Sequence, residues 1–330
     1  MTSMAHLKSG LSRRAALAGG AALIATPALA AECHIGPPVH DKGPAVWMGL
    51  DQIELDAAYD QSEYAPLLGQ IIKRYASSSA AMRARLGEPQ RVAYGPSEPE
   101  KLDVYRAKAS NAPIYVFIHG GAWLGGAAAN YAYPAEMFVH AGAHYIALDF
   151  VSVKQAGGDL SPMADQVRRA IAFVYKNAGE FGGDRQKLYV GGHSSGGHLC
   201  GVAATTDWTT LGLPAAPVRG WHCMSGMFDM KPVRLSKRSS YIKFTDAMED
   251  AMSAERHIEK INAPMVLVTG TNETPEFQRQ SRDFAATLKA AGKPVEHISA
   301  PDHNHFEMCE SLGNPYGVNG RAALKMMGLS

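Results

Sequence analysis

Neither sign of charge dominates this sequence of 330 residues, which has 32 Lys and Arg against 31 Asp and Glu. The cations form no stripe of the kind that binds a nucleic-acid backbone, so nucleic acid is not an expected partner. Cysteine is scarce, because only Cys33, Cys200, Cys223 and Cys309 occur, and four thiols make no disulfide framework. We expect Cys200 and Cys223 to be buried free thiols. The sequence contains no C-x-x-C pair, so nothing supports a zinc or thiol-redox site.

The amino-terminal stretch carries a targeting pattern. Lys8, Arg13 and Arg14 precede an apolar run over residues 15–25, and an Ala-Leu-Ala site follows. These features predict a signal peptide over residues 1–30, with a twin-arginine-like start, and the run is too short for a membrane anchor. We therefore expect an exported, periplasmic protein. Cleavage would remove three cations and no acids, lowering the formal net charge from +1 to −2.

The remaining residues, 31–330, are predicted to form one α/β domain, because neither an internal repeat nor a dividing linker occurs. Short apolar runs alternate with longer segments of helical periodicity, which indicates a mostly parallel sheet with helices on both faces. Strands are predicted at 91–94, 102–106, 113–118, 144–151, 188–192, 218–224, 264–269 and 295–299. Helices are predicted within 51–75 and at 131–141, 163–175, 276–291 and 322–327. Within 230–262, helices are predicted only where the sequence has helical periodicity.

The most informative motif is G-x-S-x-G at residues 192–196, between a predicted strand and a predicted helix. In this setting the serine occupies a sharp turn that exposes its hydroxyl, and flanking glycines avoid steric clashes. Ser194 is therefore the predicted nucleophile. Ser195 is a rival, but a frame centred on it lacks the leading glycine.

A serine nucleophile needs a histidine as general base and a carboxylate to orient that histidine. With the motif of residues 192–196, the usual chain order is serine, acid, histidine. Glu273 follows the strand predicted at 264–269, and His305 follows the last strand, so we predict a triad of Ser194, Glu273 and His305. Asp229 and Glu276 stay open as alternative acids.

His303 stays open as an alternative to His305, because residue spacing in a loop does not fix which side chain faces the serine. Asp302, His303 and His305 could also suggest a metal site. Further ligands at a known spacing are missing, so neither a metal nor a cofactor is expected.

The segment His119-Gly120-Gly121-Ala122 follows the strand predicted at 113–118. Glycines there would let backbone N–H groups approach a developing oxyanion, so we expect Gly121, Ala122 and Ser195 to form the oxyanion hole. His119 is expected to make only a structural hydrogen bond.

Four residues are predicted to contact substrate: Trp123, His193, Tyr131 and Phe228. Tyr133 is a further aromatic candidate for the pocket wall. We expect the segments 123–134, 151–161 and 230–262 to border the site.

Together these motifs resemble the kynurenine formamidase (arylformamidase) group of α/β-hydrolases, near the hormone-sensitive-lipase-like esterases. The resemblance covers most of the chain after residue 31. It rests on residues 54–59 (ELDAAY), 119–123 (HGGAW), 192–199 (GHSSGGHL), 225–229 (SGMFD) with Pro232 and Val233, 275–277 (PEF) with Gln280 and Ser281, and His305 with Phe306. The sequence departs from the group in having Glu273 where an aspartate is usual, and in its export signal.

The resemblance implies an α/β-hydrolase that cleaves a small carboxylic ester, or an aryl amide or formamide, without a cofactor. Its partner would be a small-molecule substrate. A strict amidase or arylformamidase is the alternative within enzymes. A non-catalytic hydrolase fold used for binding is the alternative from another class, and it would predict a missing triad residue or oxyanion glycine.

Overall fold

The computed structural model describes residues 36–329, which are arranged around one eight-stranded sheet. The predicted signal peptide, the boundary at residue 30 and Cys33 lie outside the described residues. The strands are β1 (Gln90–Ala93), β2 (Lys101–Tyr105), β3 (Ala112–Ile118), β4 (His144–Leu148), β5 (Gly183–His193), β6 (Gly220–Met224), β7 (Met265–Gly270) and β8 (Val295–Ala300).

The strands lie in the order β1-β2-β4-β3-β5-β6-β7-β8. Strand β2 runs antiparallel to both of its neighbours, and every other neighbouring pair is parallel. This confirms the predicted α/β class with a mostly parallel sheet. It also brings the carboxyl ends of β3, β5, β6, β7 and β8 to one edge, where ligand-binding loops of such sheets gather.

Ten α-helices occur in the described part of the chain. They are α1 (Gln52–Ala58), α2 (Leu68–Leu86), α3 (Ala135–His140), α4 (Ser161–Asn177), α5 (Ser195–Ala204), α6 (Lys231–Leu235), α7 (Asp246–Ala251), α8 (Pro275–Ala290), α9 (His305–Glu310) and α10 (Val318–Met327). Short 3₁₀ helices lie between them at Gln61–Tyr64, Ala128–Tyr131, Ala178–Phe181, Trp208–Leu211, Lys237–Ser240, Ala254–Lys260 and Ser311–Gly313.

The apolar core lies on both faces of the sheet because successive side chains of a strand point to opposite sides. In β3, Ile114 and Val116 join the layer that contains residues of α4, α5 and α8. Their neighbours Tyr115 and Phe117 join the layer that contains residues of α2, α3 and α10. Residues of β3 are therefore buried on both sides, as expected for a central parallel strand.

Two predicted elements differ from the structure for local reasons. The helix predicted over 131–141 is split into Ala128–Tyr131 and α3, because Pro134 disfavours helical geometry in the residue before it. Strand β5 begins at Gly183, earlier than the predicted 188, because this residue pairs with Ala112 of β3. The periodic stretch 230–262 forms only short helices.

Three cysteines lie among the described residues, and all are free thiols in the interior: Cys200, Cys223 and Cys309. Burial raises the pKa of the Cys223 thiol, and it raises the pKa of Cys309 to about 12. The thiols of Cys223 and Cys309 are therefore protonated and unreactive at neutral pH. Within residues 36–329, no helix has the length and apolarity needed to cross a bilayer.

Candidate active site

Ser194 lies on a strained turn between β5 and α5. Its φ is +60°, a value that is unfavourable for a residue with a side chain. A Cβ atom on Gly192 would lie 2.1 Å from the carbonyl oxygen of Gly196, and one on Gly196 would lie 2.1 Å from that of Ile118. The turn therefore requires glycine at both flanks, as the motif predicted. The Ser194 N–H donates to the Met224 carbonyl of β6 at 2.9 Å, which ties the turn to the sheet.

His305 begins helix α9 and lies against Ser194. Its Nε2 is 2.8 Å from the Ser194 Oγ atom. Asn304 caps the helix by accepting from the N–H groups of Phe306 and Glu307, and Glu307 completes a capping box. The cap fixes the backbone of this helix turn and so fixes where the imidazole points. The ring of His305 is buried. The rings of Phe277 and Phe306 pack edge-to-face against it, with centroid distances of 5.0 and 5.2 Å.

Glu273 follows β7 and receives hydrogen bonds on both of its carboxylate oxygens. Its Oε2 atom lies 2.7 Å from His305 Nδ1. Its Oε1 atom accepts from the Ser225 hydroxyl at 2.6 Å and from the Gly270 N–H at 2.7 Å. A carboxylate can only accept, so the Nδ1 atom of His305 carries the proton of this hydrogen bond. The Nε2 atom is then free to accept the proton of Ser194.

The alternative acids and histidine lie elsewhere. Asp229 pairs with Arg256 at 3.0 Å, and Glu276 pairs with Arg279 at 2.7 Å. The Nδ1–H of His303 donates to the Pro301 carbonyl at 2.6 Å, and its ring is partly exposed. The structure therefore brings Ser194, His305 and Glu273 together in one hydrogen-bonded chain and leaves these rivals outside it.

The loop after β3 faces Ser194 with its backbone. A Cβ atom on Gly120 would lie 2.9 Å from the Cβ of Ser194, which shows how closely the two segments approach. The loop reverses with positive φ at Gly121 (+125°) and Ala122 (+55°). Within residues 36–329, the N–H groups of Gly121, Ala122 and Ser195 donate to no protein acceptor. Three donors are thus available where the sequence predicts an oxyanion hole.

His119 supports this loop from the side. Its Nδ1–H donates to the Gly120 carbonyl at 2.9 Å, and its ring stacks on Phe150 at 4.4 Å. Burial lowers the pKa of His119, so the ring is neutral. The side chain therefore shapes the loop, in agreement with the structural hydrogen bond expected for it.

Ser194 and His305 open onto a cleft of about 570 Å³. Residues 121–131 form one wall, with Tyr131 among them, and His193 and Phe306 lie beside the nucleophile. The cleft is large enough for a small organic ester or amide.

His193 lies beside His305 in this cleft. Its Nε2–H donates to the His305 carbonyl at 2.8 Å, and the two rings are 4.7 Å apart. Burial and the neighbouring His305 lower the pKa of His193 well below its ordinary value of 6.5, so the ring is neutral. It buttresses the turn that carries His305.

Part of the cleft wall was not predicted from sequence. This part is formed by residues 60–75, which contribute Gln61, Leu68, Ile72 and Tyr75. The segment 230–262, which is expected to border the site, adds Arg238 alone to the wall. The amide of Gln61 also lies 3.4 Å from the Oε2 atom of Glu273. Only the helical periodicity of 51–75 could be read beforehand, and it carries no sign of a binding role.

Three expectations about the pocket are corrected. Trp123 is directed into the interior, where its Nε1–H donates to His198 Nδ1 at 3.2 Å. Phe228 is fully buried and stacks on Phe284 at 4.3 Å. The segment 151–161 does not reach this cleft. Positive φ at Trp123 (+62°) turns its side chain away from the cleft, and such a turn is not visible in the residue pattern.

Tyr133 is also directed away from the cleft, since its hydroxyl donates to the Cys309 carbonyl at 2.7 Å. Within the described part of the chain, no group of three or more His, Cys, Asp or Glu residues is arranged to hold a metal ion.

The sequence is similar to two protein families and to individual hydrolases. Residues 162–317 match the prolyl oligopeptidase family, and residues 102–215 match the BD-FAE family. A kynurenine formamidase of Danio rerio is 28% identical over 297 residues, covering 86% of this chain and 99% of that protein. The esterase LipC of Mycobacterium tuberculosis is 27% identical over 242 residues, covering 70% of this chain and 60% of that protein.

Solved structures are similar in fold. A protein from Silicibacter sp. TM1040 superposes with a TM-score of 0.70 at 21% identity, covering 80% of this chain and 97% of that one. An esterase from Thermogutta terrifontis has a TM-score of 0.58 at 20% identity, covering 74% and 91%. These likenesses support the fold described above.

Proposed function

Because the chain is an α/β-hydrolase similar to kynurenine formamidases and to esterases, we propose that it cleaves a small carboxylic ester or an aryl amide or formamide through Ser194. The observation that carries the proposal is the chain of hydrogen bonds from Ser194 through His305 to Glu273, at 2.8 and 2.7 Å, at the wall of a cleft.

In the acylation step, the Ser194 Oγ atom attacks the carbonyl carbon of the substrate and its proton passes to His305 Nε2. The carbonyl oxygen becomes an oxyanion, and the N–H groups of Gly121, Ala122 and Ser195 stabilise it. Collapse of this intermediate breaks the C–O or C–N bond. The leaving alcohol or amine takes the proton from His305, and the acyl group remains on Ser194.

In the deacylation step, His305 removes a proton from a water molecule, and the resulting hydroxide attacks the acyl carbon. The bond to Ser194 breaks, and the serine recovers its proton from His305. Glu273 keeps the imidazole in the required tautomer throughout and stabilises its charged form. The Ser225 and Gly270 donors hold this carboxylate in place.

The nucleophile is tested with two serine variants. Ser194→Ala is expected to abolish hydrolysis of 4-nitrophenyl acetate and labelling by a fluorophosphonate. Ser195→Ala is the matched control, because it removes the neighbouring hydroxyl but keeps the backbone N–H. A Ser194→Ala protein with full activity would refute the proposal, and so would a wild-type protein that is never labelled.

Arylformamidase activity is the second candidate, and the similarity to the Danio rerio protein over 86% of the chain favours it. Phenyl formate and formanilide differ only in the leaving atom, so their kcat/KM values compare ester with amide cleavage directly. A strict formamidase would cleave formanilide at least as efficiently as phenyl formate, despite the poorer leaving group. An esterase would cleave only the phenyl formate at a useful rate.

We also propose that the protein is exported to the periplasm. The support is the pattern of Lys8, Arg13 and Arg14 before the apolar run at residues 15–25. Full-length protein expressed in a Gram-negative bacterium should be recovered from the periplasm with a new amino terminus at residue 31 or 32. Replacement of both arginines by lysine should retain it in the cytoplasm. Recovery of uncleaved protein in the cytoplasm from the wild-type gene would refute export.

A further inference from the structure

The wall of the cleft beside Ser194 contains one acidic side chain, Asp60, and one arginine, Arg238. The negative charge of Asp60 is compensated within the protein, because its carboxylate accepts a hydrogen bond from Lys237 and another from the Ser62 hydroxyl. Burial raises the pKa of Asp60, but these hydrogen bonds outweigh it and the pKa is lowered overall. Asp60 is thus charged at neutral pH and paired with a cation outside the cleft.

Arg238 has no such partner. Among the described residues, no carboxylate oxygen lies within ion-pair distance of its guanidinium. By contrast, Arg234, Arg256 and Arg279 each pair with at least two carboxylates. The charge of Arg238 is therefore the uncompensated charge of the cleft wall.

Neutral groups hold the Arg238 guanidinium in position. One Nη atom donates to the Tyr241 hydroxyl at 2.8 Å, and the other donates to the Tyr59 carbonyl at 2.7 Å. The Trp123 ring lies 5.5 Å from the guanidinium carbon. Each Nη atom has a second hydrogen that these contacts do not use. A positioned, partly buried cation without a counter-ion gains from binding an anion, because burial weakens the competing interaction with water.

We propose that Arg238 binds a carboxylate of the substrate, at a part of the substrate away from the scissile carbonyl. The apolar side chains of Leu68, Ile72 and Tyr75 line the same cleft and would hold the aromatic or aliphatic body of the molecule. The substrate class is then a small ester or aryl amide that also carries a carboxylate. This inference rests on the proposed hydrolase function and specifies its substrate.

The test compares matched substrates with and without the charge. In the first pair, 3-acetoxybenzoate carries the carboxylate on the leaving group, and its methyl ester is the neutral partner. In the second pair, 4-nitrophenyl hydrogen glutarate carries the carboxylate on the acyl group, and its methyl ester is the neutral partner. The quantity measured is the ratio of kcat/KM for the charged substrate to that for its neutral partner, with only acetyl or nitrophenyl-ester cleavage counted. The pair with the larger ratio shows on which side of the scissile bond the carboxylate lies.

Wild-type enzyme is expected to favour the charged member of at least one pair. Arg238→Gln should lower that ratio by about 10- to 100-fold, the effect typical of one charged hydrogen bond. Arg234→Gln is the matched control: it removes an arginine charge nearby but outside the cleft wall, and should leave the ratio within about twofold. Equal ratios in wild type and Arg238→Gln for both pairs would overturn the proposal.

A second measurement keeps the proposal testable if the Arg238→Gln protein does not fold. It also separates substrate binding from the chemical step. In the Ser194→Ala variant, calorimetry should show tighter binding of the charged member than of its methyl ester in at least one of the two pairs, and added salt should reduce the difference. Equal or weaker binding of the charged member in both pairs overturns the inference. If the wild-type enzyme cleaves none of the substrates while this binding preference persists, the hydrolase proposal fails and the anion site stands.

Discussion

Replacement of Glu273 by glutamine tests the hydrogen-bonded chain at its acid. The carboxylate accepts from His305 at one oxygen and from Ser225 and Gly270 at the other, over 2.6 to 2.7 Å. Glutamine has one acceptor oxygen and one donor NH₂ group in the same space. The amide oxygen can satisfy only one of these two sides.

The fixed N–H of Gly270 decides the orientation. With the amide oxygen toward Ser225 and Gly270, two hydrogen bonds persist and the NH₂ group faces His305 Nδ1. That contact favours the tautomer in which Nδ1 accepts and Nε2 carries the proton. The Nε2 atom can then no longer accept the proton of Ser194. In the reverse orientation the NH₂ group opposes the Gly270 N–H and loses that hydrogen bond, and the Ser225 hydroxyl must rotate to accept instead of donating.

We therefore expect Glu273→Gln to lower kcat by about 1,000- to 10,000-fold, the size of effect that an acid-to-amide change produces in a serine-protease triad. This corresponds to roughly 4 to 5.5 kcal/mol of transition-state stabilisation. The assay is kcat for 4-nitrophenyl acetate, together with the rate of labelling by a fluorophosphonate. Both should fall together, because both require the Ser194 proton to be removed.

Two further variants serve as controls for the acid. Glu273→Asp keeps the charge but shortens the reach by one methylene, so an intermediate loss of about 10- to 100-fold is expected. Asp229→Asn removes the alternative acid, which pairs with Arg256, and should leave kcat within about threefold. The assignment of Glu273 is wrong if Glu273→Gln keeps kcat within tenfold of wild type. It is also wrong if Asp229→Asn lowers kcat as much as Glu273→Gln does.

Other predictions concern the loop, the pocket wall and pH. Gly121→Ala places a Cβ atom 2.2 Å from the Gly125 carbonyl oxygen, so kcat should fall by about 100-fold or more while far-UV circular dichroism is unchanged; unchanged kcat would contradict the oxyanion role. Trp123→Phe should reduce stability by about 1 kcal/mol in thermal unfolding and leave KM for a neutral aryl ester within threefold; a large rise in KM would contradict its place outside the cleft. Burial lowers the pKa values of His198 and His222 from 6.5 to about 4. As the pH falls below 6.5, both histidines therefore take up protons in the unfolded chain before they do so in the folded protein. The free energy of unfolding should be fully retained above pH 6.5 and fall as the pH drops toward 4, by roughly 1 kcal/mol per pH unit for each histidine, in urea titrations. His222→Gln should reduce that slope, whereas a slope that is the same in both proteins would contradict the reasoning.

The elements around Ser194 were predictable because each depends on local rules. Flanking glycines mark a turn that admits no side chain, and apolar runs of β length mark buried strands. The alternation of strands and helices then places the residues that follow β3, β5, β7 and β8 at one edge of the sheet. The fold class and the position of the candidate site follow from these patterns.

The walls of the cleft were less predictable because they depend on side-chain direction and on distant segments. Trp123 adjoins the oxyanion loop in sequence, yet a positive φ directs it inward to His198. Arg238 reaches the cleft because the Tyr59 carbonyl and Tyr241 hydroxyl hold it there, and Tyr59 is far away in the chain. Composition and periodicity contain no record of such contacts.

The sequence by itself determined the chemistry on offer: a serine on a glycine-flanked turn, later acids and histidines after strands, and a glycine loop before them. The tertiary structure alone decided which of those residues meet. His305 lies against Ser194 and Glu273 against His305, whereas His303, Asp229 and Glu276 have other partners. The physical reason is that a strand's end fixes where a loop starts, while hydrogen bonds and helix caps from other segments fix where each side chain of that loop points.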